Sequence, residues 1–204
     1  KEEMLSQLEK AQNGEILFDA DKYINTWPVK RHDHFLIPAG TIHCSGTDTM
    51  VLEISATPYI FTFKLWDWGR VGLDGKPRPV HLYHGKNVIN WERTTKWVKE
   101  NLINRFEIIH EDDTYKEEKT GLHEYQFIET RRYTLWGRAK LEGNGSVSMC
   151  NVVDGNGIII SSPDNSFEPY IVNYAETFII PASIKKFSFE PLEGTAMVLR
   201  ATIR

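Results

Sequence analysis

The stretch IPAGTIH, residues 37–43, decides the predicted fold of this chain. An apolar run meets a proline and then Gly40, and a histidine follows where the next apolar run begins. This pattern predicts a tight turn between two strands, with an imidazole at a fixed point on it. The surrounding segment, residues 29–70, continues in short β-branched and aromatic runs, and any chemistry of the protein is expected there.

The rest of the chain reads mainly as strands and turns. Helical spacing of apolar residues predicts a short helix over residues 2–12, and a second helical region lies between residues 88 and 104. Strands are predicted near residues 34–38, 41–45, 50–55 and 58–66, and in short runs from residue 106 to the end. The charged run 116–119 predicts a solvated loop. The chain is therefore predicted to be mainly β, with jelly-roll sandwiches or barrels and a few short helices.

A weak internal sequence repeat suggests two related halves. FLIPAGTIHCSG in the first half and FIIPASIKKFSF in the second both place Ile-Pro-Ala between apolar runs, and only the first keeps the glycine and the histidine. Chance similarity is the alternative for so short a match. We expect a domain over residues 1–104 and a second β domain over residues 105–204.

Composition limits the classes of partner. A net charge of −4 and a pI near 6.0 give no electrostatic reason to expect nucleic acid. No apolar run is long enough to span a bilayer, so no membrane partner is expected. Cys44 and Cys150 lack metal-type spacing and are predicted to be free thiols in a reducing cytoplasm, although a disulfide stays open. The oligomeric state is not predicted.

His43 is the strongest candidate for chemistry. Neutral imidazole is a common ligand of divalent metals, and a histidine at the start of a barrel strand can point into the barrel. The alternative is an exposed or hydrogen-bonded histidine without a function. Its position after the Pro-Ala-Gly turn favours a functional role for His43 over this alternative.

Glu53 and Lys64 are the next candidates. Glu53 interrupts the apolar run VLEI, where a carboxylate either faces water or lies in a polar barrel interior as a base or ligand. Lys64, Asp67 and Arg70 are spaced by three along FTFKLWDWGR. They could bind a sugar hydroxyl or phosphate, or form a structural ion pair.

Four blocks in the first half resemble a known family. VKRHDHFLIPAGTIHCSG, VLEIS, FTFKLWDWGR and GKPRPVHLYHGKNVIN follow in the order found in bacterial class I mannose-6-phosphate isomerases, which are zinc-dependent cupins. The second half is similar to the C-terminal cupin of that family. The resemblance implies a tandem cupin-like fold, a sugar-phosphate substrate and zinc. It also implies interconversion of mannose 6-phosphate and fructose 6-phosphate through a cis-enediol.

The resemblance also assigns roles to residues. The histidine after IPAGT is a zinc ligand in the family, which carries over to His43. The other ligands lie in a preceding QxH segment and a further strand, which this chain does not contain. We therefore expect a piece of a longer polypeptide with an incomplete zinc site, inactive by itself. Glu53 would lie by the substrate or behind the metal ligands.

Lys64 stands where the family has an arginine proposed as the catalytic cation. The family motif SDTTYR corresponds here to YIFTFK, so the Ser-Asp pair is also absent. Lysine keeps the charge and loses the planar two-pronged donor. Two functions stay open: an isomerase in which Lys64 stabilises developing negative charge, and a non-catalytic sugar-binding or regulatory cupin.

Overall fold

The computed structural model describes residues 1–55, 62–120 and 126–204 of the chain. These residues form two compact units, each with its own apolar core. The first unit comprises residues 1–33 and 37–103, and the second comprises residues 34–36 and 104–204.

The first unit contains the helices. Helix α1 spans Glu2–Gln12, as predicted, and buries Met4 and Leu8, which lie one turn apart on the same face. They pack against Phe18 and Leu82 in the apolar core of this unit. A 3-10 turn spans Ala20–Lys22, and two further helices span Leu82–Gly85 (α2) and Thr95–Asn101 (α3).

Among the described residues, the strands predicted between residues 34 and 66 are not formed. Residues 34–38, 41–45 and 50–55 contain no strand, and neither do residues 62–66. The remainder of the fourth predicted strand, residues 58–61, lies outside the described residues. An apolar run becomes a strand only when a neighbouring chain segment pairs with its backbone groups, and among the described residues no such ladder forms here. Short β-branched runs alone were therefore not sufficient to predict strands in this part of the chain.

The second unit contains all ten strands of the described chain, in two antiparallel sheets. The strands are β1 Phe106–Glu111, β2 Tyr115–Thr120, β3 Ile128–Leu135, β4 Ala139–Glu142, β5 Ser148–Asp154, β6 Gly157–Ser161, β7 Tyr170–Asn173, β8 Thr177–Ile180, β9 Lys186–Pro191 and β10 Ala196–Ile203. The six-stranded sheet has the order β1-β2-β3-β10-β5-β8, and the four-stranded sheet has the order β4-β9-β6-β7. The prediction of a mainly β protein with a few short helices is confirmed.

The core of the second unit is aromatic. Phe187 and Phe189 of β9 are fully buried, and the Phe189 ring meets those of Tyr133 and Phe178 edge to face. Cys150 lies in the same core, where burial raises the pKa of its thiol to about 12. Cys150 and the exposed Cys44 are both free thiols, as predicted.

Strand β2 corrects the prediction of a solvated loop over residues 116–119. Glu117 and Glu118 are buried within this strand. Glu117 accepts hydrogen bonds from Arg131 and from the Tyr133 hydroxyl, and Glu118 accepts one from Arg132 Nε at 2.9 Å. These partners lie on the neighbouring strand β3, so the carboxylates are buried as hydrogen-bonded ion pairs. The charge pattern of β2 alone could not reveal partners that come from another strand.

No helix in the described parts of the chain is long and apolar enough to cross a membrane.

Candidate functional site

The IPAGT segment forms a tight turn in the first unit. The Thr41 backbone N–H and its hydroxyl both donate to the Pro38 carbonyl, at 3.1 and 2.7 Å. Gly40 has a φ of +84°, and a Cβ at this position would lie 2.5 Å from the Val88 carbonyl oxygen. The turn therefore requires glycine here, both for its backbone conformation and for its close approach to the neighbouring segment.

Arg93 fixes the turn from the other side. Its Nη1 lies 2.9 Å from the Pro38 carbonyl oxygen and 2.6 Å from the Ala39 carbonyl oxygen, and it also contacts the Thr41 hydroxyl. Burial lowers the pKa of this guanidinium. The Asn90 backbone N–H adds a hydrogen bond to the Gly40 carbonyl at 2.9 Å. Residues 38–41 are therefore held by backbone and side-chain donors from residues 90–93.

His43 follows this fixed turn and is exposed. Its Nδ1 lies 2.9 Å from the Thr41 carbonyl oxygen. A carbonyl oxygen can only accept, so in the neutral imidazole the proton is on Nδ1 and Nε2 keeps its lone pair. Metal-binding histidines commonly donate their other N–H to a backbone carbonyl in this way. The geometry suits His43 as a single metal ligand through Nε2.

The described residues do not complete a metal site around it. They contain no group of three or more histidine, cysteine, aspartate or glutamate side chains placed to hold one ion. A structural or catalytic zinc needs at least three protein ligands. His43 thus fits zinc chemically, while the rest of a zinc site is not formed by the described part of the chain.

Glu53 and Lys64 are not joined to His43 by any described hydrogen bond or ion pair. Glu53 is exposed in a segment without helix or strand, and no described hydrogen bond or ion pair joins it to either of the other two candidates. Lys64 Nζ donates to Asp67 Oδ1 at 3.3 Å. The backbone N–H and carbonyl of Lys64 also pair with His81, at 3.2 and 2.7 Å.

Asp67 is the centre of a basic cluster. Its side chain is 7% exposed and lies 3.3 Å from Lys64 Nζ, 3.9 Å from Arg70 Nη1 and 3.3 Å from Arg78 Nη1. Three cations thus surround one buried carboxylate, and the cluster has a net positive charge. The spacing of Lys64, Asp67 and Arg70 left two interpretations open, a sugar or phosphate site and a structural ion pair. The structure shows ion pairs, and the spacing did not predict the burial of Asp67.

Comparison with curated proteins identifies similar chains in two bacteria. Mannose-6-phosphate isomerase ManA of Bacillus subtilis (strain 168) is 24% identical over 190 residues, which cover 93% of this chain and 54% of ManA. Mannose-6-phosphate isomerase of Streptococcus mutans is 23% identical over 176 residues, which cover 84% of this chain and 50% of that protein. The chain resembles the mannose-6-phosphate isomerases. The resemblance predicted from the sequence blocks is thereby confirmed.

The chain spans about half the length of the mannose-6-phosphate isomerases it matches. The crystal structure of mannose 6-phosphate isomerase from Bacillus subtilis superimposes with a TM-score of 0.54 at 17% identity. It covers 69% of this chain, which in turn covers 40% of that structure, and it shows a shared fold. No family model matches the chain.

Sequence reasoning missed Arg93 and Arg78. Arg93 lies 55 positions from Pro38, the turn residue whose carbonyl it binds. Arg78 reaches Asp67 because a hairpin returns the chain to residue 70, where the Arg78 backbone N–H donates to the Arg70 carbonyl at 3.0 Å. The glycines and prolines of residues 71–79 are typical of a loop, but they do not indicate which side chains the loop brings together.

Proposed function

We propose that this protein acts in the interconversion of mannose 6-phosphate and fructose 6-phosphate. The observation that carries the proposal is the similarity to proteins named mannose-6-phosphate isomerase across 93% of the chain. The turn that fixes His43 with a free Nε2 lone pair supports it independently. Cytoplasmic location is part of the same proposal, because sugar phosphates are intracellular metabolites.

His43 would be one ligand of a zinc ion. Bound zinc would orient the sugar and polarise its oxygens. The described part of the chain contains no group of three or more histidine, cysteine, aspartate or glutamate side chains that could hold a metal ion. Further ligands would therefore come from residues other than those described.

Lys64 would stabilise the negative charge that develops on the sugar oxygens. Aldose–ketose isomerisation moves a proton between C1 and C2 through an enediol, and charge accumulates on the oxygen of the former carbonyl. The Lys64 ammonium lies 3.3 Å from the buried Asp67 carboxylate, which holds it in place, and a fixed position is what this role requires. Glu53 would lie beside the substrate or behind the metal ligands.

A non-catalytic sugar-binding or regulatory cupin is the second candidate. Two observations favour it. Lysine replaces the arginine that the family resemblance implies at position 64, and the described residues form no complete metal cluster. In this case the fold and the fixed turn would remain, while turnover would be absent.

Metal analysis and a coupled assay separate the two candidates. The protein, purified from the organism that makes it, would be assayed for turnover of mannose 6-phosphate and for bound zinc. We expect about one zinc per chain and measurable turnover, which His43→Ala lowers at least about 100-fold together with the zinc content. His110→Ala, in the second unit, serves as the matched control and should change neither. Zinc-free, inactive wild-type protein would exclude the isomerase.

Lys64 variants test the role of the cation. Lys64→Met should lower kcat about 100-fold with the zinc content unchanged, because it removes only charge stabilisation. Lys64→Arg should retain activity or raise it, since a guanidinium keeps the charge and adds a second donor. Equal activity of Lys64→Met and wild type would remove Lys64 from the mechanism.

A further inference from the structure

Arg93 carries a half-buried positive charge that no carboxylate of the described residues neutralises. Its Nη1 contacts the Pro38 and Ala39 carbonyl oxygens, at 2.9 and 2.6 Å, and the Thr41 hydroxyl. Its Nε is buried and has no hydrogen-bond partner among the described residues. Burial of a charge without an opposite charge costs free energy, and burial of an unpaired donor adds to the cost. Stability alone therefore gives little reason for an arginine at this position.

Residues 90–97 hold Arg93 itself in place. The Asn90 side chain accepts a hydrogen bond from the Glu92 N–H at 3.0 Å, and the Asn90 carbonyl accepts one from the Arg93 N–H at 3.4 Å. The guanidinium carbon of Arg93 also lies 5.4 Å from the centre of the Trp97 ring, on helix α3. The guanidinium thus approaches the turn from a fixed position, so it can fix the residues that it contacts.

Thr41 links Arg93 to His43. The Thr41 hydroxyl contacts Arg93 and donates to the Pro38 carbonyl at 2.7 Å. Because Thr41 is β-branched, fixing its side chain also restricts its backbone. The Thr41 carbonyl in turn accepts the hydrogen bond from His43 Nδ1 at 2.9 Å. The orientation of the imidazole therefore depends on a carbonyl group that belongs to a residue held by Arg93.

The hydrogen bond between His43 and Thr41 is exposed and joins residues only two positions apart. Because water competes for both groups, such a bond contributes little free energy by itself. With a mobile carbonyl, the neutral imidazole would exchange between a form protonated on Nδ1 and a form protonated on Nε2. Only the form protonated on Nδ1 keeps the lone pair on Nε2. A fixed Thr41 carbonyl is therefore needed to favour this form.

We propose that Arg93 is a positioning residue for His43. By holding Thr41 it fixes the Thr41 carbonyl, which keeps the His43 proton on Nδ1 and the Nε2 lone pair available to a metal ion. The role rests on His43 as the metal ligand of the proposed function, and Arg93 fulfils it without contacting metal or substrate. The position of the proton is measured without zinc and without turnover, so failure of this proposal and failure of the isomerase give different results.

Nitrogen-15 NMR of the metal-free chain at roughly pH 8 measures the ratio of the two neutral forms of His43. Arg93→Ala should lower the ratio of the form protonated on Nδ1 to the form protonated on Nε2 about fivefold, as expected for loss of one ordinary hydrogen bond. Arg93→Lys should restore most of the wild-type ratio, because a single nitrogen of Arg93 makes all three contacts and an ammonium can replace it. Arg138→Ala removes an exposed arginine of the second unit and should leave the ratio unchanged.

A threonine variant tests the same link if Arg93→Ala unfolds the unit. Thr41→Val keeps the β-branched shape and removes the hydroxyl that Arg93 contacts, so it should lower the ratio by a similar factor. Thr49→Val removes an exposed hydroxyl elsewhere in the first unit and is its control.

The result that overturns the proposal is an unchanged ratio in folded Arg93→Ala or, where that variant is unfolded, in Thr41→Val. A purely structural role of Arg93 would give this result, since stability would fall while the His43 proton stayed on Nδ1.

Discussion

The two Ile-Pro-Ala turns of this chain share a hydrogen-bond pattern and differ in what holds them. In residues 37–41 the Thr41 N–H donates to the Pro38 carbonyl at 3.1 Å, and in residues 180–184 the Ile184 N–H donates to the Pro181 carbonyl at 3.0 Å. In both turns a basic side chain also donates to the alanine carbonyl. Arg93 Nη1 does so at 2.6 Å in the first, and Lys185 Nζ does so at 3.1 Å in the second.

The surroundings of the two turns are different. The second turn connects strands β8 and β9 and leads directly into buried phenylalanines, so a packed sheet sets its shape. The first has no flanking strand, and Arg93 together with the close approach of Gly40 to Val88 sets its shape. It leads to an exposed histidine instead of a core residue. The same local motif thus connects the two sheets in one unit and presents a side chain in the other.

Phe189→Ala should give the largest loss of stability, in the unit of the second turn. Phe189 is fully buried and contacts three other aromatic rings. Truncating it should lower the free energy of unfolding by about 3–5 kcal/mol, measured by denaturant titration. Tyr170→Ala, at an exposed position on β7, is the control and should cost far less. A loss for Phe189→Ala below about 1 kcal/mol would contradict packing as the support of this turn.

Arg93→Ala should give the next largest effect, in the unit of the first turn. It removes charge-assisted donors from two carbonyls that have no sheet to pair with, so we expect a loss of about 1.5–3 kcal/mol. Hydrogen exchange of the Thr41 amide should accelerate in the same variant, because the turn opens locally. Unchanged exchange at Thr41 would show that Arg93 does not hold the turn.

Gly40→Ala should cost about 1–2 kcal/mol. Alanine is strained at a φ of +84°, and its Cβ would meet the Val88 carbonyl oxygen. Ser183→Ala, at the corresponding position of the second turn, should be close to neutral because Ser183 has no positive φ. Similar losses for the two alanine variants would mean that the turns are held in the same way.

Lys185→Ala should give the smallest effect. Its hydrogen bond to the Ala182 carbonyl is exposed to water, and the sheet continues to support the turn without it. The free energy of unfolding should change by no more than about 0.5 kcal/mol. A loss as large as that of Arg93→Ala would remove the contrast between the two turns.

Sequence patterns predicted the second unit better than the first. Runs such as FEIIHE and TFII lie in strands that find antiparallel partners, so propensity and pairing agree there. In the first unit, residues 41–55 also contain β-branched and other apolar residues, but they have no partner strand among the described residues. Propensity reports what a segment can form, and pairing depends on the rest of the fold.

The sequence named His43, Glu53 and Lys64 as candidate site residues, which stay predictions, and it did not indicate the side chains that hold the first turn. The motif IPAGTIH located His43 and the need for Gly40, because a glycine in a turn has a local conformational reason. Arg93 and Arg78 act across long stretches of chain, and their roles follow from contacts that no local pattern encodes. Burial of Asp67 is likewise a property of the folded unit.

The tautomer of His43 tests most directly whether the first turn prepares a metal ligand. Nitrogen-15 NMR of the metal-free chain at roughly pH 8, where imidazoles are largely neutral, distinguishes the two ring nitrogens. His43→Ala assigns the signal. The structure predicts a protonated Nδ1, bonded to the Thr41 carbonyl, and an unprotonated Nε2. A protonated Nε2 would leave no lone pair facing away from the turn, and it would contradict the account of His43 as a metal ligand.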